Sequence, residues 1–314
     1  MAGLIALLLV FGMIGVVAAR QGGGLGAGAS SPEAAASGLL GALDRDTLDA
    51  RALERAARYL TGEERLAVTT YAERIARLAG RPAAGGQPLW IGAFGAGDVR
   101  FQQVDGSDDV AVLEAVSGTV TVRANGAHLE LSLEEARRRL AEQTNSRVTS
   151  LRVVTVRSGG RWYVALLPTG LEWARLAGGG GAADYARLTA DAAPGAGSPQ
   201  DAVRGLLDAL GQSPSAIAAR LASSERNAID AYLPSVPSVA AADGMLGLRR
   251  LDRAAVGKVT GAERVADGVA RVHLSGTLGD VTDLIAVRRD GTWYPSMVFT
   301  LTDLTLTRAE RELS

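Results

Sequence analysis

Ser31-Pro32-Glu33-Ala34-Ala35-Ala36-Ser37-Gly38-Leu39-Leu40-Gly41-Ala42-Leu43 returns later in the chain as Ser198-Pro199-Gln200-Asp201-Ala202-Val203-Arg204-Gly205-Leu206-Leu207-Asp208-Ala209-Leu210, with eight of thirteen positions identical. Two further echoes follow in the same order. Leu60, Glu64, Arg65, Ala67 and Tyr71 recur as Leu221, Glu225, Arg226, Ala228 and Tyr232, and Gly160, Trp162 and Tyr163 recur as Gly291, Trp293 and Tyr294. Three ordered echoes mark a duplicated domain, so the repeat governs the domain plan. In each block Ser is placed as helix N-cap and Pro at the first helical position, where a missing N–H costs nothing. Ala35, Leu39, Leu40 and Leu43, like Val203, Leu206, Leu207 and Leu210, then fall on one helical stripe.

The chain has 314 residues, 47% apolar and 21% charged, which suits two globular domains. Its formal net charge of -1 gives no long-range pull on a polyanion, so no nucleic-acid partner is expected. Lys258 is the lone lysine among many arginines, the amino-acid bias of a GC-rich genome of actinobacterial type. With no Cys, disulfides, thiolate metal sites and a cysteine nucleophile are all excluded.

Residues 2–19 carry no charged or strongly polar side chain. At about 1.5 Å per residue such a run just matches a hydrocarbon core of about 30 Å. The expectation is a transmembrane helix or signal anchor over 1–20, with a cleaved signal peptide as the alternative because Val17-Ala18-Ala19 is a small-residue cleavage motif. Everything folded follows this run, which would place the rest of the chain outside the cytoplasm. The expected plan is then a Gly-rich tether over 21–30, a first α+β domain over 31–176, a linker over 177–197 and a second α+β domain over 198–314.

Within the first domain, three-or-four spacing continues through Leu53, Ala57 and Leu60, and through Ala67, Tyr71, Ile75 and Leu78, with Gly62 between. The period then changes to two from Val99 to Val122, Asn125-Gly126 is a hairpin turn, and Leu129, Leu131 and Leu133 alternate with polar residues. Residues 134–142 read as a short helix inserted in the first copy alone. The closing hairpin is expected from 148–156 and 162–167 around Ser158-Gly159-Gly160. In the second copy strands are expected at 255–259, 269–274, 282–288 and 293–306, with turns at Asp267-Gly268 and Asp290-Gly291. Each copy is thus helices followed by an antiparallel sheet, an α+β plan with helices packed on the sheet.

The Ser-Pro-x-x-Ala opening before Leu-Leu, with the Val-Arg-x-x-Gly-x-Trp-Tyr close at 156–163 and 287–294, resembles the nuclear-transport-factor-2-like superfamily of curved-sheet cones. That resemblance covers roughly 31–173 and 198–305. It implies two tandem cone domains, and similar membrane-tethered proteins of actinobacterial type carry such pairs. It also implies that a buried acid, if present inside a cone, could serve an isomerase or cyclase chemistry.

Chemistry-bearing residues are few. His128 and His273 read as solvated strand positions without metal-ligand company, and no cofactor or metal is expected. Glu114, within an otherwise apolar strand, and Asp283, before a second apolar run, are the candidates for a tuned carboxyl. Trp162, Tyr163, Trp293 and Tyr294 are candidates for a ligand mouth, or else for core, with each Trp assigned to the helix-packed face and each Tyr to the surface. Matching Ser117-Gly118-Thr119 to Ser275-Gly276-Thr277 sets Val272 opposite Glu114, which leaves the second copy without an acid there. No catalytic set follows. The expected role is a non-catalytic, membrane-anchored binding or scaffold protein with a protein partner in the cell envelope. The alternatives are a small-ligand sensor or cone enzyme, and a component of a conjugation or secretion complex.

Overall fold

A computed structural model describes residues 28–44, 48–79, 93–124, 127–144, 150–190, 195–210, 212–235, 257–278 and 281–313. The fold is α+β with two antiparallel sheets. The transmembrane helix expected as its first element is corrected: among the described residues no helix is long and apolar enough to cross a membrane. Residues 2–19, on which that expectation rested, lie outside them. The chain divides into two compact units, one running to Gly180 and taking in Leu306–Ser314, the other Gly181–Thr305.

The first unit opens with α1 (Pro32–Leu43), α2 (Ala50–Ala57) and α3 (Gly62–Leu78). Ser31 caps α1 as its spacing predicts, its Oγ accepting from Ala34 N at 3.1 Å. Strands β1 (Ala93–Ser107), β2 (Val110–Ala124) and β3 (Ala127–Ser132) follow, then α4 (Leu133–Thr144), β4 (Arg152–Ser158), β5 (Arg161–Val164) and α5 (Leu166–Ala177). The sheet runs β1-β2-β4-β5, with β3 pairing the far half of β2. Ala35, Ala36, Leu39 and Leu40 of α1 bury against Leu113, Val153 and Val164, with Val99 and Phe101 of β1 at the margin. Burying each large apolar side chain of this kind is worth about 1.5–3 kcal/mol.

The second unit holds a 3-10 turn (Tyr185–Thr189), α6 (Pro199–Ala209), α7 (Pro214–Ala218), α8 (Ser223–Tyr232), β6 (Val259–Ala266), β7 (Val269–Leu278), β8 (Val281–Arg289) and β9 (Thr292–Ser296). The closing α9 spans Met297–Leu313. Its sheet is the simple meander β6-β7-β8-β9. Val203 and Leu206 of α6 bury against Val272, Leu284 and Ala286, as α1 does in the first unit.

Both closing hairpins turn through two residues with positive φ, Gly159-Gly160 and Asp290-Gly291. That is the twist which lets two adjacent antiparallel strands join directly. The hairpins stop sooner than the apolar alternation suggests. Strands expected to run to Leu167 and Leu306 end at Val164 and Ser296, and a helix follows each. Pro168 is harmless at the third position of α5, where no N–H is needed. In α9, Phe299, Asp303, Leu306 and Ala309 are buried, a three-to-four spacing that overrides the β-branched threonines between them.

Glycines read as tether and linker also join the fold. Ala29 exchanges backbone hydrogen bonds with Trp162 at 2.9 Å both ways, and Ala196 does the same with Trp293 at 2.9 and 2.8 Å. The residue just before each strap, Gly28 or Gly195, lies against the Tyr of its hairpin, where a Cβ would come within 2.6 Å of the Tyr163 or Tyr294 ring.

Candidate functional site

The second echo of the sequence is a set of buried positions. Leu60, Glu64, Ala67 and Tyr71 are buried, and so are Leu221, Glu225, Ala228 and Tyr232. The acid in each set does one job. Glu64, 4% exposed, reaches from α3 to the start of α5, where Oε2 accepts from Leu166 N at 2.8 Å and Oε1 from Leu167 N at 2.7 Å. Thr61 donates its hydroxyl to Oε2 at 2.7 Å. Glu225, 1% exposed, accepts from Met297 N at 2.7 Å and Val298 N at 3.1 Å at the start of α9, and from the Ser296 hydroxyl. A helix N-terminus leaves its first N–H groups without intrahelical acceptors and favours negative charge, so a carboxylate from another helix satisfies both needs. Burial pushes the Glu64 carboxyl up to about 7, while the hydrogen bonds from Leu167, Thr61 and Leu166 pull the other way. A group poised near neutrality could act as a base. Here its oxygens face the protein's own donors.

The sequence candidates Glu114 and Asp283 belong to equivalent cross-strand pairs, as opposite members of them. Val156 pairs with Tyr163 as Val287 pairs with Tyr294, so Arg152 on β4 corresponds to Asp283 on β8. Their cross-strand partners are Glu114 and His273. The match that set Val272 opposite Glu114 is therefore off by one residue: Val272 pairs with Leu284, the counterpart of Val153. The two units carry a polar cross-strand pair at the same place with the acid on opposite strands, Glu114 facing Arg152 in the first and His273 facing Asp283 in the second.

Around the first pair the cluster is covered. Glu114 stands 3.7 Å from Arg137 of α4 and 3.9 Å from Arg152, and Arg137 also donates to the Ala115 carbonyl. Arg152 bonds at 2.9 Å to Glu172, which is fully buried and also holds Arg175 at 2.6 Å. Buried carboxylates persist when paired in this way. Around the second pair the surface is more open. His273 Nδ1 lies 2.7 Å from Asp283 Oδ1 with the side chains 40% and 33% exposed, and Thr282 donates to Asp283 at 3.1 Å. Thr260, exposed on β6, donates to the His273 carbonyl at 3.2 Å. Asp303, the counterpart of Glu172 on α9, binds Arg271 through both oxygens at 3.0 Å, and Glu263 binds it at 2.5 Å. Burial works against the Arg271 charge, but Asp303 and Glu263 hold its pKa above the ordinary guanidinium value.

The aromatic candidates pack into the fold. Trp162 and Trp293 lie against the helix-covered cores of their units, the face assigned to them. Tyr163 lies under the Arg65 guanidinium at 5.2 Å. Tyr294 is 7% exposed and its hydroxyl meets Thr292 Oγ1 at 3.0 Å, so it is buried where a surface position was expected. The side chain of His128 lies outside the described residues. Among the described residues no three His, Asp or Glu side chains are gathered as a metal site would need.

Sequence reasoning missed Glu64, Glu225, Glu172 and Asp303 as the acids that matter to the fold. The first two were visible as an identical Glu in each copy. The last two stand ten residues after Trp162 and Trp293, a spacing kept in both copies. Comparison with known proteins finds no matching family model, no matching curated protein and no matching solved structure.

Proposed function

We propose that the protein is a non-catalytic binding protein built from two duplicated units, and that a protein partner is engaged through the open cross-strand site of the second unit at Thr260, His273 and Asp283. The observation that supports this is the fate of the equivalent acids. Glu64 and Glu225, the most deeply buried echoed carboxylates, are aimed at backbone donors and hold helices in place. An enzyme of this plan would aim such a group at a substrate. The cross-strand pair, by contrast, lies against Arg137 of α4 in one unit and has its side chains 40% and 33% exposed in the other. It changes chemical kind between the units, as a recognition surface does when duplicated copies take different duties.

Complementation of a strain lacking the gene tests the proposal. Glu114→Gln should restore full function. His273→Ala and Asp283→Asn should each fail while the protein stays folded and abundant. A folded Glu114→Gln variant that behaves like the deletion would replace binding with catalysis as the working account.

A further inference from the structure

Around the two buried carboxylates the hydroxyl has changed sides. In the first unit it comes from Thr61, the residue before α3, while Ala165 precedes α5. In the second unit it comes from Ser296, the residue before α9, while Ala222 precedes α8. These positions correspond one to one. The N–H groups of Thr61 and Ala222 both donate at 3.1 Å to the hairpin carbonyls of Val164 and Pro295. The carbonyls of Ala165 and Ser296 both accept at 2.7 Å from Thr169 and Thr300, whose hydroxyls in turn accept from Val154 N and Ile285 N at 2.9 Å. Thr61 makes no side-chain cap to α3, since its hydroxyl points to Glu64 instead.

We infer that each unit carries a latch, a buried carboxylate with a hydroxyl donor closing the last helix onto the earlier ones, and that the positions of Thr61 and Ala165, like Ala222 and Ser296, are interchangeable hosts for that hydroxyl. This inference is independent of the binding proposal. Its physical basis is that a carboxylate sealed from water needs donors, and that losing one leaves an acceptor that water cannot reach. Either side of the latch can supply the donor because both flank the same carboxylate, Thr61 reaching the oxygen that accepts the first N–H of the last helix and Ser296 the oxygen that accepts the second. Ser296 Oγ also accepts from Phe299 N at 3.2 Å, so a serine at the helix start serves cap and latch together.

Amide hydrogen exchange on the full chain reads the latch directly. Thr61→Ala should speed exchange at Leu166 and Leu167 about tenfold, the effect of leaving one buried acceptor without its donor. Adding Ala165→Ser should return it to within about twofold of the parent on the same basis. Ser296→Ala should do the same to Met297 and Val298, and Ala222→Thr should reverse it. Should Thr61→Ala fail to fold, recovery of a folded protein on adding Ala165→Ser supports the latch, and no recovery overturns it. Unchanged exchange in Thr61→Ala, or a double variant as fast as the single, also overturns it.

Discussion

A carboxyl group sealed from water at Glu64 either gives up its charge or is held by donors, and its titration records the balance. Desolvation is the larger effect and lifts the group to about 7 against an ordinary value of 4.5. The sign for stability follows from proton binding. Between those two values the folded state holds a proton that the unfolded chain has released, so stability falls as pH rises. The contribution is complete below about 4.5 and lost above about 7. From the two values it amounts to roughly 3 kcal/mol, an order-of-magnitude figure. Glu64→Gln keeps the shape and one acceptor without the titration. Denaturant unfolding from pH 5 to 8 should show the parent losing stability toward the upper end while the variant stays nearly level. Parallel profiles for the two proteins would show that Glu64 stays ionised throughout and that its donors outweigh burial.

Among elements, those with a strong period were legible and those held by tertiary contacts were not. The stripes of α1 and α6, the caps at Ser31 and Ser198 and the turns at Gly159-Gly160 and Asp290-Gly291 all follow from local chemistry. The last helix of each unit does not. Met297 to Leu306 alternates apolar and polar residues with three threonines, which is strand composition. The helix forms there because Glu225 and Ser296 take its first N–H groups and Thr300 ties it to β8. None of these partners is near it in sequence except Ser296. Thr300→Val keeps the shape and the β-branch but leaves Ile285 N without its hydroxyl acceptor. It should cost about 1–3 kcal/mol in denaturant unfolding. A loss below about 0.5 kcal/mol would show that α9 is held by its apolar stripe alone. The candidate site was half legible for the same reason. Glu114 and Asp283 stood out as polar residues beside apolar runs, but the counterpart of Glu114 depends on strand register, and a one-residue slip changes it from His273 to Val272.

At the scale of the whole molecule, duplication has kept the framework and varied the surface. The first strand of each sheet, β1 and β6, is an edge strand whose ladder shifts register, a device that blunts an open sheet edge against unwanted pairing. Both hairpins keep their strap, latch and tyrosine contact, while the cross-strand pair and the α4 insertion differ. The repeat unit is also longer than its sequence echo. By its echo the second copy begins at Ser198, yet Ala196 pairs with Trp293, and Asp184 N donates to the Ala231 carbonyl at 2.9 Å. Asn227 donates to the Ala190 carbonyl at 2.7 Å, and Tyr185 packs edge-on to Tyr232 at 6.1 Å. The glycines between 177 and 197 hid these contacts, because composition reports flexibility and not what lies between the flexible points. A fragment of residues 181–314 keeps the strap and the Tyr185–Thr189 turn, whereas 198–314 loses both. Burial of Tyr185 and Leu188 alone is worth about 1.5–3 kcal/mol each. The longer fragment should therefore unfold cooperatively at a clearly higher urea concentration, by several kcal/mol in extrapolated stability. Equal midpoints for the two fragments would mean that 181–197 is a passive connection and that the second unit begins at its Ser-Pro cap.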